Sequence, residues 1–255
     1  MTQATVQDIF RYPVKGLSPE RLSSAALRPG ETIAADRLYA IENGPCGFDP
    51  AAPSYHPKIH FLMLMRNERL AELTTRFDHA SHTLSIMRGS EEVASETLKT
   101  EDGRAAIERF FALFCADELR GPPRILSAPG FSFSDVAAKV VSIINLATVR
   151  ALEAKVGAPI NPLRFRANLY IDGWPAWREF ELIGQDIAVG RAARLRVTKR
   201  IVRCAATNVD PETGRRDMTI PDTLRRGFGH GDCGVYAEVI AAGEIAPGDA
   251  VLAAG

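Results

Sequence analysis

The chain has few cysteines and pairs none of them. Cys46, Cys115, Cys204 and Cys233 form no Cys-x-x-Cys, so the paired spacing of a four-cysteine zinc site is missing. Scattered thiols behind no basic-then-apolar leader are expected to be reduced, in a cytoplasmic protein. Net charge is also lacking: 31 basic residues balance 31 acidic ones. Overall field therefore selects neither nucleic acid nor a membrane surface. No apolar run approaches the roughly 20 residues of a membrane span. Aromatics make up only 7% of the chain, which suggests no base-stacking platform. A phosphate-loop lysine motif, a GxSxG elbow and an HExxH helix are all absent. Nucleotide-hydrolysing, serine-hydrolase and zinc-peptidase chemistries lose their usual signatures with them, and dinucleotide binding is not expected.

What remains is an ordinary globular composition, 46% hydrophobic over 255 residues, enough for one large domain or two intimate ones. Val6 to Tyr12 reads as a strand ended by Pro13, with Arg21 to Leu27 as its antiparallel partner. Arg37 to Ile41 is a third strand, and Cys46 to Lys58 reads as a loop. Thr75–Asp78 and Thr83–Met87 form a hairpin. Arg104 to Ala116 is a helix with Ala106, Ile107, Phe110, Phe111 and Phe114 on one face and Asp102 as N-cap. Gly121-Pro122-Pro123 marks the break between two halves, 1–122 and 123–255. Asn145 caps a second helix that ends at Gly157. Ala167–Ile171, Asp186–Val189, Arg194–Val202 and Val235–Ala241 follow as strands, and a turn at Ile245–Val251 feeds a last one. Short strands at close spacing suit a small barrel or a curved sheet.

Charge is local. Asn161 to His230 holds twelve Arg and one Lys against eight Asp and Glu, a balance that suits either an anionic small molecule or a solvated basic surface. Within it, Arg203-Cys204 closes an apolar β-branched run and precedes a turn. Read alone, Cys204 is either a thiolate metal ligand favoured by neighbouring arginines or a buried structural thiol. Arg164, Arg166 and Asn168 offer forks and amides to oxyanions, or are plain surface residues at a strand entry. Lys15-Gly16 after Tyr12-Pro13-Val14 is a ligand-facing turn or a solvated one. Asp36-Arg37 is a ligand contact or a hairpin ion pair. The glycine-rich stretch Gly229–Gly234 admits close backbone approach. Its His230 and Cys233 are either a second metal site or a loop entering a strand. Trp174 and Trp177 either cap a substrate cleft or pack in the core.

The motifs Arg203-Cys204 with Asn208-Val209-Asp210-Pro211-Glu212-Thr213-Gly214, Arg166-Ala167-Asn168 and Tyr12-Pro13-Val14-Lys15 resemble those of MOSC-domain proteins. These are relatives of the C-terminal module of molybdenum cofactor sulfurases, including the amidoxime reducing component and its bacterial relatives. Asn208 stands where those relatives carry Thr, and Gly16 where they carry Ser. The resemblance implies an α+β fold, with a β-rich N-terminal MOSC module and a C-terminal MOSC β-barrel flanked by helices. It implies a molybdenum–molybdopterin cofactor ligated by Cys204 and contacted by Lys15, Gly16, Arg37, Arg166, Asn168 and Arg203. It further implies a molybdenum-dependent reductase of N-hydroxylated or related N-oxygenated small molecules. Some bacterial relatives carry a C-terminal ferredoxin-like extension, which is not expected here because the sequence stops at Gly255, so a separate flavin, haem or iron–sulfur protein is expected to supply electrons. The other implied role is a cofactor or sulfur carrier using a Cys204 persulfide without turnover.

Overall fold

Alternating apolar residues and one bulged first strand close seven strands into a barrel. The structure, a computed structural model, describes residues 3–253. Its first half contains β1 (Gln3–Arg11), β2 (Glu20–Leu22), β3 (Ala25–Leu27), β4 (Ala40–Asn43), β5 (Leu73–Asp78), β6 (Thr83–Arg88), β7 (Glu91–Thr97), α1 (Glu101–Phe114) and β8 (Pro123–Leu126). The second contains β9 (Val141–Asn145), α2 (Leu146–Val156), β10 (Leu169–Asp172), the one-turn α3 (Arg178–Glu181), β11 (Asp186–Val189), β12 (Ala193–Val202), α4 (Ile220–Phe228), β13 (Asp232–Ala241), β14 (Gly243–Ile245) and β15 (Ala250–Ala253).

The strand order is β10-β9-β13-β12-β11-β15-β1, and β1 pairs again with β10. That second pairing closes the barrel and leaves no open edge along the ring. β2 hangs on the outside of β1. Only β9 and β10 run parallel among the ring pairs, and α2 makes the crossover between them, as a parallel pair requires. Val6, Ile9, Ile143, Leu169, Ile171, Leu195, Val197, Val235 and Val239 meet inside. Register explains the meeting: Val6 faces Ile171, and Ile9 faces Leu169. Between those pairs β1 carries one extra residue, a bulge that bends the strand upstream of Tyr12.

The first half builds its own core. β5, β6 and β7 form a meander, and β4 pairs with β8. α1 buries Ile107, Phe111 and Phe114 with Leu84, Ile86 and Leu98. Val209 and Ala206, from the stretch after Cys204, pack into this same cluster. The fold is thus mixed α+β, with a closed barrel and a β-rich N-terminal module. β1 is a barrel stave, so the break at Gly121-Pro122-Pro123 does not stop the two halves from sharing a sheet.

Several local expectations need correction. The partner expected over Arg21–Leu27 divides at Ser23-Ser24: β2 pairs with β1, while β3 pairs with β14. Ser24 Oγ donates to Glu244 across that second pairing. The cap of α1 is Thr100, whose side chain accepts from Gly103 N at 3.1 Å, and Asp102 lies inside the first turn. Arg37 stands outside β4, in a left-handed conformation. β7, β9 and α4 were not expected. α4 carried its own signals, Pro221 in the first turn and Gly229 at the left-handed stop, but its Arg and Asp residues dilute the apolar spacing. Asn145 caps α2 as expected, accepting from Ala147 N at 3.1 Å.

Phe111 is fully buried against the meander. Replacing it with Ala should cost about 3–5 kcal/mol in urea unfolding. A loss under about 1 kcal/mol would mean that α1 does not anchor the N-terminal core.

Candidate functional site

One cleft gathers strand ends and loops from both halves. Its cavity is narrow, about 120 Å³, and opens to solvent through a wide mouth. Six cationic residues line it: Lys15, Arg37, Lys58, Arg164, Arg166 and Arg203. Only Asp36 and Asp135 line it with negative charge. Gly16 and Asn168 also form its wall, with Met63, Ile201 and Val202 among its apolar residues. Cys204 sits at the edge, half-buried, immediately after the lining residue Arg203.

The stretch around Cys204 is held in place by its own polar groups. β12 ends at Val202, and Arg203 N donates to Gly231 O at 2.8 Å. Thr207 Oγ1 donates back to the Cys204 carbonyl at 2.9 Å. Asp210 accepts from the main-chain N–H groups of Glu212 and Thr213, which closes the next turn. Arg164, buried beneath, donates to Asp210 and Asp217 at 2.8 Å each and to the Asn208 carbonyl at 3.2 Å. Arg164 is therefore a strut for this loop. Asn208 Oδ1 accepts from Ile220 N at 2.8 Å, which gives the residue that departs from the family pattern a task at the start of α4. Arg216 reaches across to the carbonyls of Leu64 and Met65 and to Glu68.

Two residues that the motifs did not indicate stand beside Cys204. Lys58 Nζ donates to Cys204 Sγ at 3.3 Å and lies 3.4 Å from Asp135. Asp135 also pairs with Lys15, whose Nζ donates to the Phe133 carbonyl at 2.9 Å. Tyr55 Oη donates to the Asp135 main chain and clips the 46–58 loop over the cluster. Burial opposes ionisation of Asp135, but Lys15 and Lys58 outweigh it and hold its carboxyl well below the usual range. For Lys15, burial wins and the pKa is lowered, with Asp135 opposing. The contrast follows from the neighbours: Asp135 faces Lys15, Lys58 and Arg37, whereas Lys15 has, among the described residues, Asp135 alone against the like charges of Arg37 and Lys58. For Lys58 burial is outweighed by Asp135 and Cys204, and the shift is upward. No sequence motif marks Lys58 or Asp135, since each reaches the site through a loop distant in the chain.

The expected anion contacts divide into committed and uncommitted groups. Asn168 is committed: its Oδ1 accepts from Ser142 N and Oγ, and its Nδ2 donates to Phe10 O. Arg203 donates from Nε to Cys233 O and from Nη1 to Phe165 O, yet its Nη2 is buried with no partner among the described residues. The Arg166 side chain has no hydrogen-bond acceptor among the described residues, and burial lowers its pKa. Arg37 pairs with Asp36 and donates from Nη2 to the Arg166 carbonyl at 3.0 Å. Unfilled guanidinium donors beside an accessible sulfur fit an anionic group that carries a soft metal. Gly16 has φ +87°, and a Cβ there would lie 2.6 Å from the Leu62 carbonyl oxygen. Glycine is thus required by the backbone.

The other candidates lie elsewhere. Trp174 is in the barrel core, while Trp177 packs with Phe180, Phe228 and His230. Burial pushes Cys233 and Cys115 up to about 12 and Cys46 up to about 11. Among the described residues no three His, Cys, Asp or Glu side chains are placed to hold a metal ion. Gly229, Gly231 and Gly234 do carry the GxGxxG spacing. They follow a helix and lead into β13, the reverse of a dinucleotide turn.

Two outcomes follow. Gly16→Ser should cost about 1–3 kcal/mol through strain and the close carbonyl, and an unchanged urea midpoint would remove the constraint. Because the folded pKa of Asp135 is depressed, its contribution is full above the ordinary carboxylate pKa near 4 and fades as pH falls. Asp135→Asn should therefore flatten the acid limb of Tm against pH at low salt, modestly, since the group is partly exposed. An acid limb identical to wild type would contradict an electrostatic role.

Comparison with known proteins agrees with this architecture. Residues 3–117 match the family model described as MOSC N-terminal beta barrel domain, and residues 128–252 match the MOSC domain. No curated protein matches the chain. Among solved structures, the YUAD protein from Bacillus subtilis is similar at 14% identity, over 98% of this chain and 94% of that one, with a TM-score of 0.46. YiiM from Geobacillus stearothermophilus is 17% identical over 45% of this chain and 54% of that one, with a TM-score of 0.36. YiiM from Escherichia coli is 18% identical over the same shares, with a TM-score of 0.34. The two family models together span nearly all of the chain, and it belongs to the MOSC-domain proteins.

Proposed function

We propose that the cleft binds molybdenum–molybdopterin with Cys204 as the metal ligand. In this reading the protein reduces N-hydroxylated or related N-oxygenated small molecules, using electrons from a separate flavin, haem or iron–sulfur protein. The supporting observation is the convergence of one accessible thiol with six cationic side chains against two carboxylates. MOSC domains are associated with the molybdenum cofactor in general, and the resemblance of the Arg203-Cys204 stretch to the amidoxime-reducing relatives supplies the substrate class.

Lys15, Arg37, Arg166 and Arg203 would hold the anionic parts of the cofactor by charge-assisted hydrogen bonds. Gly16 and Asn168 would shape the wall behind it. Bound there, the group would supply two-electron chemistry, in which two electrons from the donor protein and two protons from solvent would convert the N-hydroxyl substrate to amine and water. Lys58 keeps an ammonium beside Cys204 and is itself held by Asp135, so it can donate a hydrogen bond to a substrate oxygen there. Val202, 71% exposed at the end of β12, gives an apolar rim to the mouth. The division into units 1–122 and 123–255 and a cytoplasmic location remain part of the proposal. Among the described residues no helix is long and apolar enough to cross a membrane.

Protein made in a host competent for molybdenum cofactor synthesis should contain molybdenum and fluorescent pterin in stoichiometric amounts. Cys204→Ser should lower reduction of a model N-hydroxylated compound by more than about 100-fold, beyond what loss of a supporting contact costs. Its stability should change by only about 1 kcal/mol. Cys46→Ser, Cys115→Ser and Cys233→Ser serve as activity controls. Arg166→Ala should lose cofactor while keeping its fold. Metal-free protein with labile sulfur on Cys204 would favour the carrier role instead, and wild-type activity in Cys204→Ser would overturn the ligand assignment.

A further inference from the structure

Two arginines of the cleft share one aromatic ring. The guanidinium carbon of Arg166 lies 4.3 Å from the Tyr12 ring centroid, and that of Arg37 lies 4.5 Å from it. Both arginines are left-handed, at φ 50° and 52°, a backbone conformation that is uncommon and costly without glycine. Tyr12 itself is fully buried and tied at several points. Its N–H donates to Asp36 Oδ1 at 2.9 Å, its carbonyl accepts from Arg37 N at 2.7 Å, and its hydroxyl donates to Ala167 O at 3.3 Å. Tyr12 is therefore fixed by Asp36 and Arg37 at one end and by Ala167, the neighbour of Arg166, at the other.

Like charges this close repel, and one carboxylate, Asp36, pairs directly with only one of them. An aromatic face attracts both cations without consuming their N–H donors. An ion pair uses those donors, as it does for Arg164 and in part for Arg37, whereas among the described residues Arg166 has only the ring. We propose that Tyr12 is the positioning residue of an oxyanion site, its ring holding Arg37 and Arg166 together, with Arg37 anchored by Asp36 and the Arg166 carbonyl and the donors of Arg166 left for the terminal phosphate of an organic ligand. This rests on the cofactor reading only for the identity of that ligand, because the geometry selects any phosphate-sized oxyanion.

The probe is inorganic phosphate, titrated calorimetrically into apoprotein at low salt. Tyr12→Phe should bind it as wild type does, since the ring is kept and only the hydroxyl's contacts with the Ala167 carbonyl and Tyr170 are lost. Tyr12→Leu should weaken binding about tenfold, the scale of a desolvated cation–π contact. A series with fluorinated phenylalanines at position 12 keeps the ring's shape while draining its negative face. Affinity should fall stepwise with fluorination while Tm stays within a few degrees, which a purely structural ring would not show. The series also covers the case in which Tyr12→Leu does not fold. Flat affinity across it, or wild-type affinity in folded Tyr12→Leu, would overturn the proposal. If purified protein lacks molybdenum yet phosphate affinity follows the ring, the cofactor reading fails and the positioning role stands.

Discussion

Six cationic side chains facing one cleft repel one another, and the surrounding structure is arranged so that they can stay there. Each is compensated differently. Arg164 is neutralised by Asp210 and Asp217. Lys15 and Lys58 share Asp135. Arg203 leans on the carbonyls of Phe165 and Cys233 and on the Phe165 ring. Arg37 has Asp36 and Tyr12, and Arg166 has the Tyr12 ring. A buried charge without such partners would shift its pKa or unfold its surroundings. The gradation from ion pair to carbonyl to aromatic face leaves progressively more N–H donors unused, and the least-used donors belong to Arg166 and Arg203.

The same compensation makes the two halves depend on each other. Asp135 precedes β9, yet the lysines it pairs with come from the first half. Arg216 belongs to the stretch after Cys204, yet it reaches the carbonyls of Leu64 and Met65. Val209 is buried in the core of the N-terminal module, and β1 is a stave of the barrel built by the second half. Contacts of such long sequence separation form late and together. The position of Lys58 relative to Cys204 is therefore fixed by packing rather than by a mobile tether.

The barrel was legible in the sequence where its strands alternate: Asp186–Val189 and the run ending at Val202 read correctly because period-two burial leaves a visible pattern. Asn145 and Gly157 marked α2 by cap chemistry that acts locally. β3 was misassigned because its partner, β14, lies more than two hundred residues away, and no local pattern carries that choice. The same reason hid two residues of the site. Lys15, Arg37, Arg166, Asn168 and Arg203 line the cleft, and Cys204 stands at its edge; the motifs indicated all six. Lys58 and Asp135 lie in loops of ordinary composition, and only the fold brings them to the sulfur.

The four thiols show how this arrangement separates reactive from inert chemistry in one chain. Cys115 and Cys233 are buried, and desolvation first, then Glu118 for Cys115 and Glu179 and Asp232 for Cys233, pushes each up to about 12. Cys46 rises to about 11, with burial and then Glu42 responsible. None of these thiols has an ammonium hydrogen-bonded to its sulfur among the described contacts, whereas Cys204 has Lys58. Thiolates, not thiols, bind metals and carry sulfur, so the charge set that restrains six cations also distinguishes one cysteine. The distinction survives whichever role Cys204 serves, because both the metal-ligand and the persulfide chemistry begin from the sulfur that Lys58 touches. What would separate those roles is the use made of the Arg166 and Arg203 donors, which a carrier of sulfur alone would leave empty and a molybdopterin would fill.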